Sequence, residues 1–279
     1  MQNQITKSYL TATGTISHNM TNDYMFRYIL QKNEKVLKGL ISSLLHIDPH
    51  TIKKITIRNP INLSEDISGK DFVMDIEVMF NDDHLINLEM QVNNEHNWSE
   101  RSLSYLCRTF DQLYQGQDYE EALPVHHIGF LDFTLFPEYP EYYATYQMLN
   151  IKNHHLYSSK FSLSVVDLNK TDLATKEDKT YGVDYWARLF KAKTWEELKM
   201  LAKDNEYLEA AANSIYEANE ERMVRERCIA RKLAERRERT LERDIKLLKE
   251  NISDLEERNS SLEERIKELE AELAEKETE

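Results

Sequence analysis

Glycine and proline are scarce, six and five residues in a chain of 279, and no Gly/Pro-rich linker divides it. Cysteine is scarcer still. Cys107 and Cys228 lie far apart in stretches of helical pattern, which argues against a disulfide framework and fits a reducing compartment. No apolar run reaches the roughly 18 residues of a membrane span, and the opening MQNQITKSYL lacks a signal-peptide core. A cytoplasmic protein with no membrane partner and no nucleotide cofactor is expected. Positive charge is also in deficit: 36 Lys and Arg stand against 50 Asp and Glu, a formal charge of −14. A general nucleic-acid binder is more often basic, so any such binding would need a local basic surface.

The length allows a large domain or two smaller ones, and the most informative stretch within it is FVMDIEVMF–NDD–HLINLEMQV, a β-hairpin pattern. Phe72, Met74, Ile76, Val78 and Phe80 alternate with Asp75 and Glu77 in the first strand. Ile86, Leu88, Met90 and Val92 alternate with Glu89 and Gln91 in the second. With Asn81–Asp83 as the loop, Phe80 pairs with His84. Asp75 then falls opposite Glu89, with Cβ atoms about 5 Å apart. Two carboxylates that close repel one another unless a cation lies between them, which points to a hard metal ion such as Mg2+.

Around the hairpin the pattern predicts an α/β sandwich. Residues 1–20 are polar and aperiodic and read as a flexible arm. Thr21 or Asn22 caps a helix that runs to about Ile47, with a break near Asn33. TIKKITIRN reads as a short strand. A helix capped by Ser99 follows the hairpin and ends before Gly116, with Cys107 expected to be buried in it. VHHIGFLDFTLF reads as a central strand buried on both faces, and FSLSVVDL as another. The core domain is bounded at residues 21–170, followed by a helical segment over 171–219.

The tail changes character. From Glu220 there is no proline, glycine or aromatic residue, and a basic helix over 220–240 leads into residues 241–279. There Leu241, Ile245, Leu248, Ile252, Leu255, Asn259, Leu262, Ile266 and Leu269 alternate at steps of four and three. Leu at d, Ile at most a positions and one Asn at a predict a parallel, two-stranded coiled coil, hence a homodimer. The g–e′ pairs Asp244–Lys249, Arg258–Glu263 and Arg265–Glu270 are attractive in that register. In the basic helix, Arg222, Arg225, Arg227 and Arg231 alternate with acids, as in a solvated helix laced with i,i+4 pairs. Phosphate contact from two such helices would help an acidic protein hold DNA.

Several ordered blocks also carry a resemblance. Asp23-Tyr-Met-Phe26-Arg27, then Lys70 with MDIEV, then NLEMQ, then RSLSYLCRTFDQLYQGQDYEEALPVHHIGFLDFTLF resemble the Rpn family of recombination-promoting nucleases and transposases, a bacterial branch of the PD-(D/E)xK nucleases. The resemblance covers roughly residues 20–215. It implies a restriction-endonuclease-like core, a mixed sheet flanked by helices, and Mg2+-dependent DNA endonuclease activity linked to recombination. It also assigns catalytic roles to Asp75, Glu89 and Gln91, with Asp75, Glu89 and the Met90 carbonyl holding one or two Mg2+ ions. Gln91 stands where that superfamily usually carries lysine, and an amide has no titratable group. The missing cation would come from Lys70 or Arg101, and Asp23 is a candidate auxiliary acid as well as a first-turn helix residue. His126 and His127, adjacent in a strand, face opposite sides and cannot share one metal. The alternative expectation is a catalytically inactive DNA-binding or coiled-coil scaffold protein derived from a mobile element.

Overall fold

A computed structural model describes residues 8–59, 76–111, 113 and 117–277, with the backbone alone for residue 242 and residues 271–277. Two compact units divide the chain, one running to Arg231 and the other from Lys232 onward.

The first unit begins with two helices, α1 (Asp23–Lys32) and α2 (Glu34–Leu44). The break expected near Asn33 lies at that residue. Its extended backbone ends α1, and its side chain accepts from the Lys35 and Val36 N–H groups to start α2. Asn22 caps α1 in the same way, through Met25 N–H.

Six strands form one sheet: β1 (Ile55–Ile57), β2 (Ile76–Phe80), β3 (His84–Gln91), β4 (Val125–Leu131), β5 (Tyr143–Gln147) and β6 (Phe161–Asp167). Their spatial order is β1-β2-β3-β4-β6-β5. The inner pairs β3–β4 and β4–β6 are parallel and the outer pairs antiparallel. Helix α3 (Trp98–Phe110) makes the crossover between β3 and β4, the connection a parallel pair requires. β4 is the central strand that its continuous apolar run predicted.

Two apolar layers flank the sheet. On one face Ile76, Val78, Ile86, Leu88, Met90, Ile128 and Phe130 pack with α1 and α2. A short helix, α4 (Lys176–Thr180), precedes α5 (Val183–Lys191), and the same core takes in α5, α6 (Trp195–Ala202) and α7 (Glu206–Glu220). On the other face Leu85, Val125, Leu131 and Leu163 pack beneath Trp98 and Leu106 of α3. Alternation along the strands assigns each residue to its layer, so the odd-numbered positions of β3 lie under α3.

Three expectations need correction. Residues 8–20 are no loose arm. Tyr9, Ile16 and Met20 are buried, Ile16 N–H donates to the Lys193 carbonyl, and Trp195 N–H donates to the Gly14 carbonyl. Few apolar residues anchor that segment, so its pattern resembled coil although its backbone bonds are satisfied by α6 and its approach. The helix α3 starts at Trp98 rather than after a Ser99 cap, and it ends at Phe110. Burial of the Trp98 ring fixes its first turn, and Asn97 makes no side-chain cap bond; Gly116 lies outside the described residues. Cys107 is exposed on this helix, whereas Cys228 is buried.

The last helix, α8 (Arg222–Glu277), is continuous. Its first turns belong to the core, where Val224 and Cys228 are fully buried. Arg225 donates to the Asn219 and Glu220 carbonyls that end α7, and Arg222 makes an i,i+4 pair with Glu226 at 2.8 Å. In the second unit the heptad residues Leu241, Ile245, Leu248, Ile252, Leu255, Leu262, Ile266 and Leu269 are all exposed.

Candidate active site

The hairpin forms in the expected register. Phe80 pairs with His84, Val78 with Ile86 and Ile76 with Leu88. Asn81 and Asp82 adopt left-handed backbone at φ 50° and 62°, a conformation that Asn and Asp tolerate best among residues with side chains. Asp75 and Lys70 lie outside the described residues.

Asn87, Glu89 and Gln91 project from β3 toward α3. That face is not a solvated one. Glu89 is 3% exposed and Asn87 fully buried, because the βαβ crossover lays α3 across it. A buried carboxylate needs compensation, and Arg101, one turn into α3, supplies it: its Nε donates to Glu89 Oε1 at 2.8 Å. The Arg101 guanidinium also lies 3.9 Å from Glu95 Oε2 and 5.6 Å over the Tyr105 ring. Burial pulls the Arg101 pKa down, but Glu89, Tyr105 and Glu95 outweigh it, so the net shift is upward.

The parallel register brings a further group to this face. Asn87 pairs with His127 and Glu89 with Gly129. His127 is fully buried, with Nδ1 3.1 Å from Asn87 Nδ2 and Nε2 3.7 Å from Glu89 Oε2. Its ring stacks on Tyr105 at an interplanar angle of 6° and is tilted against Trp98. The nearby carboxylate favours a charged imidazole, yet burial dominates. With help from His126 and Arg101 it pushes the His127 pKa down to about 3, so the ring is neutral at pH 7. His126 does face the opposite side, where its Nε2 meets Ser164 Oγ at 2.7 Å.

Gln91, at the edge of the site, donates to the Asn93 carbonyl at 3.0 Å and to Glu95 Oε1 at 3.3 Å. The Gln91 carbonyl accepts from Asp132 N–H, beyond the end of β4. Successive carbonyls of a strand point to opposite neighbours, so the Met90 carbonyl points toward the β2 side. Asp23 is buried in the first turn of α1 and takes Arg231 of α8 as its ion-pair partner. That helix packs on the opposite layer from α3, so Asp23 and Glu89 belong to different faces of the sheet.

Among the described residues no group of three or more His, Cys, Asp or Glu is placed to hold a metal ion. The donors that follow one another at the end of β3, namely the Glu89 carboxylate, the Met90 carbonyl and the Gln91 amide oxygen, are all oxygens, the donor type a hard cation takes. Neither His127 nor Asn87 was identifiable from the sequence as part of this site. Their side follows from the parallel β3–β4 register, which strand periodicity alone does not fix. Glu95 was missed because it lies in an unpatterned loop.

A family model described as PD-(D/E)XK nuclease family transposase matches residues 20–241. No curated protein matches the chain, and no solved structure matches it.

Proposed function

The chain belongs to the PD-(D/E)XK nuclease family of transposases, and on that premise we propose that it is a Mg2+-dependent DNA endonuclease acting as a homodimer in recombination or mobile-element activity. The observation that carries this reading is Glu89: a carboxylate 3% exposed, on the strand next to a Gln91 in the E-x-Q position, held by Arg101 at 2.8 Å. Burial of an ionised acid is costly, and in a chain of this family it has a chemical use.

If the β2–β3 pairing were to run one residue beyond Ile76–Leu88, Asp75 would stand across from Glu89. Asp75, Glu89 and the Met90 carbonyl would hold Mg2+. The ion would lower the pKa of a bound water and neutralise charge on the scissile phosphate. Gln91 would orient water or phosphate through its amide, since it can carry neither charge nor proton. Arg101 would serve as the cation that lysine supplies elsewhere: a guanidinium forms paired, directional bonds to phosphate oxygens. Lys70 is a second candidate for that role. The exposed heptad face of α8 would pair with that of a second copy, presenting two sites to one duplex.

A second reading, an inactive DNA-binding or scaffold protein, is favoured by one observation: the Gln91 amide and the Arg101 guanidinium are both engaged by neighbouring side chains. A plasmid-nicking assay with Mg2+ separates the two. Cleavage by the wild-type protein that is lost in Asp75→Ala and Glu89→Ala is expected; equal activity in all three sinks the enzyme reading.

A further inference from the structure

Among the described residues, Glu89 meets two neighbours of different kind. Arg101 fixes Oε1, and the fully buried His127 directs its Nε2 at Oε2 from 3.7 Å. The ring is fully buried between Tyr105, parallel to it with centroids 6.3 Å apart, and Trp98, tilted against it at 5.8 Å, which restricts its turning. Its other nitrogen meets Asn87 Nδ2, a donor, at 3.1 Å. With the Asn87 amide in this orientation, its N–H calls for a lone pair on Nδ1 and puts the single ring proton on Nε2, a tautomer that the Glu89 carboxylate facing Nε2 favours independently. The opposite tautomer would aim a nitrogen lone pair at a carboxylate oxygen in a low-dielectric layer, which is repulsive. An N–H aimed at the same oxygen is attractive. At 3.7 Å the contact is longer than a hydrogen bond by about 0.5–1 Å, a gap that a small rotation of the carboxylate closes.

The geometry points to His127 as a positioning residue for Glu89: an imidazole locked by Asn87 and Tyr105 with its Nε2–H toward Oε2, so that the carboxylate is held from both sides and presented in one orientation. The inference rests on the proposed role of Glu89 for its functional consequence, although the tautomer is a property of the protein alone. Partners that orient a metal-binding carboxylate typically change metal affinity or activity 10- to 100-fold when removed. His127 itself contributes no metal–nitrogen bond in this arrangement, because its one ring lone pair is turned to Asn87.

Two measurements on the full chain test this. Long-range 1H–15N correlation spectra of histidine-labelled protein, with the signal assigned by its loss in His127→Gln, are expected to show a neutral ring protonated at Nε2. In Glu89→Gln that resonance is expected to shift. A ring protonated at Nδ1, or one charged at pH 7, overturns the proposal. Titration with Mn2+ followed by electron paramagnetic resonance is expected to give a dissociation constant 10- to 100-fold weaker in His127→Leu, and within a few-fold of wild type in His127→Gln, whose amide restores an N–H donor. Equal Mn2+ affinity in wild type and His127→Leu also overturns it, as does absence of Mn2+ binding by the wild type. Failure of the nuclease reading looks different: the tautomer and the Mn2+ titration behave as stated while wild-type protein leaves plasmid DNA intact.

Discussion

Trp98 and Gly129 occupy adjoining space so tightly that a Cβ built on residue 129 would lie 2.0 Å from Trp98 Cζ2 and 2.4 Å from Cη2. Gly129 is the residue of β4 that pairs with Glu89, so the absent side chain is what lets the first turn of α3 close over the acid. Gly129→Ala therefore forces the indole aside. We expect a loss of about 1–3 kcal/mol in chemical denaturation, the usual range for overpacking. Because Trp98 also rests on His127, the cleavage proposed for this site should fall in the folded variant. Unchanged stability would mean that the indole has room to move.

In the proposed site, Arg101 and an added metal ion would both offset the charge of Glu89. Removing the guanidinium leaves a buried carboxylate with less compensation, which destabilises by up to about 3–5 kcal/mol when the pair is fully buried; the partial exposure of Arg101 argues for the lower part of that range. Arg101→Ala is expected to melt at lower temperature in EDTA and to regain part of the loss in excess Mg2+, more than wild type gains under the same change. Arg101→Lys should retain part of the stability while losing the paired geometry. Equal Mg2+ response in wild type and Arg101→Ala would show that the ion does not sit near Glu89.

How far this site was legible in the sequence varies residue by residue. The hairpin register was readable because apolar alternation on both sides of Asn81–Asp83 leaves one pairing that buries Val78 and Ile86 together. The break at Asn33 was readable because a capping residue announces itself locally. His127 was not, since its side-chain direction was clear but its neighbour depended on how β4 aligns with β3, a contact across about forty residues fixed by α3 packing. The burial of Glu89 was hidden for the same reason: alternation says which face a residue takes, not whether a helix will cover that face. The edge strand β5, with Tyr143, Ala144 and Thr145 in a mixed pattern, carried too little periodicity to stand out.

Acid should weaken the fold through the two neighbouring histidines of β4. Burial holds His126 at about 4 and His127 at about 3, each below the ordinary 6.5. Both are neutral in the native and unfolded states above pH 7. Below 6.5 the unfolded chain takes up protons that the native protein refuses, so stability falls until the native pKa values are reached. Each histidine contributes a slope on the order of 1.4 kcal/mol per pH unit within that window. His126→Asn, on the face away from Glu89, is expected to reduce the slope of unfolding free energy between pH 6 and pH 5 relative to wild type. An unaltered slope would place the acid sensitivity elsewhere.

The heptad face of α8 makes the last prediction. Leu248, Ile252 and Leu255 are each more than half exposed in the single chain, and burial of such a side chain is worth about 1.5–3 kcal/mol. A second α8 in parallel register would cover that stripe, with Asn259 facing its counterpart at an a position and disfavouring higher assemblies. The 33.1 kDa chain is expected to scatter light with twice that mass, and removal of residues 241–279 should shift it toward monomer while α1 to α7 remain folded by circular dichroism. Asn259→Ile should keep association but admit trimers or tetramers, because the polar residue that specifies two strands is gone. A truncated protein that remains dimeric would assign self-association to the first unit, and the paired g and e positions would then serve a different helical partner.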